Sequence, residues 1–250
     1  YKGEFEISNK NATKDPLDLR VADDSSQTTI VVNDQKTYQS VLGMGTSIEE
    51  STIYNLLKMT DENRQAFLRR LLDPVNGMGM SLMRVTVGTS DFTAQDFYTY
   101  YDGTGKELDG KPDWNNVTGK GFSIQKDKDL GIIKVINEMQ AIAKELGVED
   151  NLKFFASSWT PPGWMKLPTS SSNSYEDNEL LLKGGKLNDD YIDDLAKYMV
   201  RYVEEYQKCG IPIYAMTIQN EPLLEINYPS CAMTGTQEAK IAKAIKAELA

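Results

Sequence analysis

The chain has 250 residues, 40% hydrophobic and 26% charged, enough to bury a sizeable core as one domain or, as the lesser alternative, two. Its formal charge of −10 argues against nucleic acid or an anionic membrane surface as partner and suits a neutral ligand such as a sugar, and no apolar run approaches the roughly 18 residues of a membrane span. Histidine is absent, so neither a Ser-His-Asp or Cys-His catalytic set nor an H-E-x-x-H zinc site can be assembled, and carboxylates are the leading candidates for any chemistry.

The first residue is Tyr1 rather than Met, which reads as a processed or trimmed chain with any signal peptide out of view. Residues 1–38 are polar and turn-rich, with a short strand predicted at Thr28–Val32 and a turn at Asn33-Asp34. Two N-x-[ST] sequons occur, at Asn11 and Asn116. From Ser40 a strand is predicted at Val41–Gly45, then helices over Glu49–Met59 and Asp61–Leu72, with Thr60 as N-cap between them and Asp73-Pro74 as the stop. A second strand covers Met80–Val87, and a long loop rich in Tyr, Asp and Gly covers residues 89–122.

The next helix is predicted over Asp127–Leu146, because Ile132, Ile133, Ile136, Met139, Ile142 and Leu146 recur at helical spacing and Gly147 follows as a C-terminal cap. Leu152–Ala156 is the third strand, followed by a loop through Gly185 that includes the serine-rich stretch Ser170–Ser174. Asn188 caps a helix whose apolar face is Ile192, Leu195, Met199, Val203 and Tyr206, closed by Gly210. Ile213–Gln219 is the fourth strand, and a last helix begins near Thr236 and continues to Ala250. Cys209 and Cys231 fall at opposite ends of the fourth strand, so no disulfide is expected between them.

Strands alternating with helices predict βαβ units and a parallel sheet. A doubly wound sheet shares that alternation, but its G-x-G-x-x-G loop is missing, since Gly43-Met44-Gly45 is followed by Ile48. Each of the four units has its long loop after the strand, where a (β/α)8 barrel builds its active site, so the chain is expected to supply half of such a barrel.

Ile218-Gln219-Asn220-Glu221-Pro222 ends the fourth strand and puts Glu221 at the rim of the barrel mouth. Glycoside hydrolysis needs one protonated carboxyl beside the leaving oxygen and one ionised carboxylate at the sugar carbon, and Asn220 is placed to bond a 2-hydroxyl. The alternative is a polar turn after a strand. On its own, Asp91 reads as a loop or turn-capping carboxylate, and Arg84, inside an apolar strand, as half of a structural ion pair if buried. Trp159 is expected in a sugar pocket and Trp164 as a packing or loop-anchoring residue. Tyr98, Tyr100 and Tyr101 either line the cleft or pack the long loop. Glu49 and Glu50 open a helix, where acidic residues interact favourably with the macrodipole, and are given no catalytic role.

Several of these segments together resemble glycoside hydrolase family 30, the family of glucosylceramidase and endo-β-1,6-glucanase, over about Leu42 to Ala250. They are Gly43-Met44-Gly45-Thr46-Ser47, Met83-Arg84-Val85, Ser90-Asp91-Phe92, Tyr98-Thr99-Tyr100, the run Phe155–Lys166 and Thr217–Pro222. The resemblance implies that Glu221 is the acid/base and Asn220 its 2-hydroxyl partner. It implies that Asp91 and Trp159 belong to the terminal glucose pocket and Arg84 to the catalytic surroundings. It places the nucleophile on strand seven, beyond residue 250, and assigns residues 1–39 to a side β-sandwich, with 40–250 as the first half of the barrel. Glu49-Glu50-Ser51 departs from the Asp-Ala pair common in relatives, and Ser158 stands where Pro is common.

The expected activity is retaining hydrolysis of β-linked glucosides, with a carbohydrate substrate, no metal or organic cofactor and a secreted or cell-surface location. The rival is a non-catalytic carbohydrate-binding or interaction fragment that lacks the nucleophile.

Overall fold

The computed structural model of the chain describes residues 31, 33–103 and 121–250. The chain divides into two compact units, one ending at Val41 and one running from Leu42 to Ala250. In the first, Asn33 opens the expected turn: the Lys36 N–H donates to the Asn33 carbonyl at 3.2 Å and the Gln35 N–H to the Asn33 side chain at 3.1 Å. The strand expected at Thr28–Val32 lies outside the described residues apart from Val31, which is in no strand, and both sequons lie outside them.

The larger unit runs β1 (Gly45–Ser47), α1 (Glu50–Leu57), α2 (Asp61–Leu72), β2 (Leu82–Val87), α3 (Gln125–Asp129), α4 (Ile132–Glu145), β3 (Lys153–Ser158), β4 (Lys166–Leu167), β5 (Lys186–Leu187), α5 (Ile192–Lys208), β6 (Ile213–Thr217) and α6 (Gly235–Glu248). Strands β1, β2, β3 and β6 form one parallel sheet in that order, while β4 and β5 pair as a small antiparallel arm between β3 and α5. Parallel neighbours in sequence order, each returning through helices, are the wall of a TIM barrel.

Local chemistry explains most boundaries. Thr60 caps α2 by accepting from the Asn63 N–H, and Thr234 caps α6 in a capping box with Gln237. Gly147 closes the α4 segment at φ +70°, with the Val148 N–H reaching back to the Ala143 carbonyl at 2.9 Å. Asn188 caps a short 3-10 turn that leads into α5.

Several boundaries differ from expectation: the third strand runs Lys153–Ser158 rather than Leu152–Ala156, the second starts at Leu82 rather than Met80, and the first helix spans Glu50–Leu57 rather than Glu49–Met59. The first strand lies at Gly45–Ser47 rather than Val41–Gly45, because Gly45 takes its place opposite Leu82 and leaves Val41, Leu42 and Met44 exposed. The helix expected over Asp127–Leu146 is broken into α3 and α4 at Gly131, which adopts φ +76°. The periodic apolar residues, Ile132 to Leu146, all follow Gly131, and the QKDKD sequence of α3 has no apolar stripe, so the pattern carries no trace of the break. The fourth strand stops at Thr217 rather than Gln219, with one further bond from the Asn220 N–H to the Ser158 carbonyl at 2.6 Å. The last helix ends at Glu248, not Ala250.

The sheet register sorts residues onto two faces. Met83, Val85, Val87, Phe154 and Ala156 point into the main core, which they share with Ile53, Leu68, Ile136, Met139, Leu195 and Met199 of the helices. The opposite face is more polar: Ser47 pairs with Arg84, Thr86 with Ser157, and Ser157 with Thr217. Buried Arg64 ties α2 to α4, with its Nε and Nη2 bonding the two carboxylate oxygens of Glu138 at 2.7 and 2.9 Å and Nη2 also bonding Asp61 at 2.6 Å. Cys209 and Cys231 are both free.

Candidate active site

The loop after β6 carries Glu221. Beyond Thr217 the chain leaves the ladder, and the Gln219 side-chain amide donates to the Trp159 carbonyl at 2.5 Å, holding this loop to the one after β3. Glu221 then takes φ +50°, a left-handed conformation that is uncommon outside glycine. Strain of this kind, of order 1–3 kcal/mol, persists where the surroundings over-determine it, and it concentrates at working sites. The turn is fixed by the Leu224 N–H donating to the Glu221 carbonyl at 2.8 Å and the Met233 N–H to the Pro222 carbonyl at 2.6 Å.

The carboxylate of Glu221 is exposed and receives two donors on Oε2: the Asn220 amide at 3.3 Å and the Tyr228 hydroxyl at 3.2 Å. Asn220 is held from its other side by Arg84, whose Nη2 donates to Asn220 Oδ1 at 2.6 Å and to Ser157 Oγ at 3.0 Å. Ser157 in turn meets Thr217 at 2.6 Å. The Arg84 guanidinium also lies over the Trp159 ring, 4.4 Å from its centroid. Trp159 is buried and donates its indole N–H to Asp91 Oδ1 at 3.0 Å, while Asp91 itself is exposed.

One chain of contacts therefore runs Asp91, Trp159, Arg84, Asn220, Glu221, Tyr228, and it gathers all five residues singled out in the sequence. Arg84 has no carboxylate partner among the described residues, so the ion-pair alternative is replaced by a neutral relay through Asn220 and Ser157. The Tyr228 phenol is raised above its ordinary value by desolvation first, then by the charges of Glu221 and Asp91.

The loop bearing Tyr228 is anchored from below. Buried Lys166 donates to Thr160 Oγ1 at 2.9 Å and to the carbonyls of Leu182 and Ser230 at 3.2 and 2.8 Å. Burial pushes its ammonium down to about 8. Ser230 Oγ accepts from the Ile226 and Gly184 N–H groups at 3.2 and 3.0 Å, closing the loop on itself and on the preceding arm.

Other residues resolve into packing roles. Tyr98, Tyr100 and Tyr101 are buried, so they pack the loop after β2 rather than line the cleft. The hydroxyls of Tyr98, Tyr100 and Tyr206 donate to Asp127 at 2.9, 2.6 and 2.5 Å. Trp164 anchors the same loop by donating to the Tyr101 carbonyl at 3.0 Å. Glu50 accepts from the Thr93 hydroxyl at 2.8 Å and the Ala94 N–H at 2.6 Å, holding the segment just after Asp91. Tyr228, Lys166 and Asp127 were not found by sequence reasoning, because each meets its partner across a loop that carries no periodic signal. The tyrosine content of the loop after β2 was the one available hint for Asp127.

Among the described residues, no group of three or more Cys, Asp or Glu could hold a metal ion, and no helix is long and apolar enough to cross a membrane.

Residues 41–245 match the model of the glycosyl hydrolase family 30 TIM-barrel domain. The endo-1,6-beta-D-glucanase neg1 of Aspergillus fumigatus is 29% identical over 208 residues, covering 81% of this chain and 39% of that protein. The lysosomal acid glucosylceramidase of Mus musculus is 26% identical over 211 residues, covering 84% of this chain and 36% of that protein. A solved endo-beta1,6-glucanase superposes with a TM-score of 0.69 at 32% identity, covering 89% of this chain and 44% of its own. The chain thus spans less than half the length of these relatives.

Proposed function

The chain belongs to glycosyl hydrolase family 30, and from that membership we propose that it carries the acid/base half of an enzyme that hydrolyses β-linked glucosides with retention of configuration. Glu221 is the acid/base. In the first step its carboxyl proton passes to the glycosidic oxygen as the bond from that oxygen to the anomeric carbon breaks. A second carboxylate, which the family resemblance assigns to a later strand, forms the new bond to that carbon. In the second step Glu221, now ionised, takes a proton from water while the water oxygen displaces the enzyme carboxylate. Retention implies a separation of about 5–5.5 Å between the two carboxyl groups.

The observation that carries this reading is the placement of Glu221. It lies just past a barrel strand in a left-handed conformation, with its carboxylate exposed and bonded by Asn220 and Tyr228. Asn220 is the 2-hydroxyl partner, held in place by Arg84. Trp159 forms an aromatic wall, and Asp91 at its indole nitrogen bonds sugar hydroxyls. The relatives named as endo-1,6-glucanases and glucosylceramidases favour a β-glucoside, either a β-1,6-glucan or a glucosylceramide-like glycolipid. The residues before Ser40 are assigned, on the same reading, to a side β-sandwich, and a secreted or cell-surface location fits a polysaccharide substrate.

Hydrolysis of an aryl β-glucoside by the protein and its Glu221→Gln variant, followed by NMR of the first-formed anomer, tests the proposal. Retention in the parent, with a loss in the variant that is greatest for poor leaving groups, is the expected result. Inversion, or a variant as active as the parent, refutes it.

A further inference from the structure

Glu49 follows β1 by two residues, and its backbone is still extended at φ −75°, ψ 160°. Strand alternation therefore carries it to the same face as Ser47, whose partner is Arg84. That is the polar face of the sheet, which holds Arg84, Thr86, Ser157 and Thr217 and opens toward the Glu221 loop. Glu50, one residue on, spends its carboxylate on Thr93 and Ala94.

Glu49 is only 7% exposed, and its Oε2 has no hydrogen-bond partner. No cation pairs with it among the described residues. The Arg84 guanidinium, on the neighbouring strand, is engaged with Asn220, Ser157 and the Trp159 ring. The Glu49 backbone carbonyl does take up its helical bond, from the Ile53 N–H at 3.1 Å. Only the side chain is unsatisfied. A buried carboxylate without donors is costly, and natural structures keep one where something else supplies the donors. A carboxylate offers acceptors alone, so its complement is a group rich in O–H.

We propose that Glu49 is a substrate-recognising carboxylate of the same pocket, accepting from hydroxyls of the glycosyl unit on which Glu221 acts. The assignment rests on the glycosidase reading and adds to it a selectivity residue on the first strand. A ring hydroxyl bonded to Glu49 leaves the exposed Glu221 carboxyl for the glycosidic oxygen. Selectivity then follows from the cost of the unmet carboxylate: a deoxy sugar leaves Glu49 as it stands in the free protein.

Binding of methyl β-D-glucopyranoside and its 3-, 4- and 6-deoxy analogues is measured by calorimetry in the Glu221→Gln background, where no turnover intervenes. Glu49→Gln in that background is expected to bind the parent glucoside about 10- to 100-fold more weakly, the worth of a charged hydrogen bond. It is expected to lose little for the one deoxy analogue that lacks the partner hydroxyl. The same substitution is expected to leave the melting temperature unchanged or higher, since it removes an uncompensated buried charge. A lower melting temperature with unchanged discrimination among the four sugars would mean that Glu49 serves the fold, and overturns the proposal. Equal affinity in both proteins overturns it as well, while leaving the glycosidase reading intact. If Glu49-containing protein binds none of the four, both readings fall together.

Discussion

Asp127 offers the sharpest test of the packing beneath the site. Its carboxylate is buried and surrounded by the hydroxyls of Tyr98, Tyr100 and Tyr206. Burial raises it from 3.8 to about 6, against the opposing pull of the three tyrosine donors and of the Lys126 charge. The folded state therefore holds this proton more tightly than the unfolded chain does. Stability from this group is absent above pH 6, where both states are ionised. It grows as pH falls and is fully present below pH 4. The size follows from the shift: about 2 units at 1.36 kcal/mol each give about 3 kcal/mol.

Asp127→Asn removes the titration and keeps the shape. The expected result is a stability difference, parent minus variant, that rises by about 3 kcal/mol between pH 7 and pH 4, measured by urea denaturation at half-unit intervals. The difference is the right quantity. Asp61, Asp73 and Asp189 are lowered by their partners, so each loses stability as pH falls in both proteins. Those contributions cancel in the subtraction. A flat difference across the range would refute the reasoning, and one of opposite sign would show that the tyrosine donors outweigh burial.

Tyr228→Phe removes a donor to Glu221 while keeping the ring, and kcat/KM on an aryl β-glucoside is expected to fall about tenfold with no change in melting temperature. An unchanged rate would detach Tyr228 from the acid/base. Arg64→Ala strands Glu138 and is expected to cost about 3 kcal/mol in denaturant unfolding; less than 1 kcal/mol would mean that the α2–α4 clamp is replaceable by water. Gly45→Ala would place a Cβ 1.4 Å from the Leu82 carbonyl oxygen, so pairing of β1 with β2 must yield. Soluble protein with the parent melting temperature would contradict the register of the first strand.

What the sequence could reveal depended on whether a feature leaves a local trace. The α2 bounds were read to the residue, because Thr60 and Asp73-Pro74 are punctuation whose mechanism is contained within a few residues. The α3–α4 break was missed, because Gly131 interrupts the backbone without disturbing the side-chain period on which the reading relied. The first strand was misplaced for a third reason: apolar character locates a buried stretch, but the register of a parallel strand is decided by its partner.

The same distinction governs the site. Glu221 and Asn220 were legible at a strand end, where a barrel aims its side chains, and Asp91, Trp159 and Arg84 through the family resemblance. What they do to one another was not. Arg84 could have been an ion-pair partner; it supports Asn220 because Ser157 and Asn220 are the acceptors that the register of three neighbouring strands brings within reach. Glu49 is the case where a sound local reading pointed away from the site. An acidic residue at a helix start suits the macrodipole, and that is true of Glu49 wherever its carboxylate goes. The face it occupies is set two residues earlier, by the pairing of Ser47 with Arg84, and that pairing is the observation that turns a capping residue into a candidate for sugar recognition.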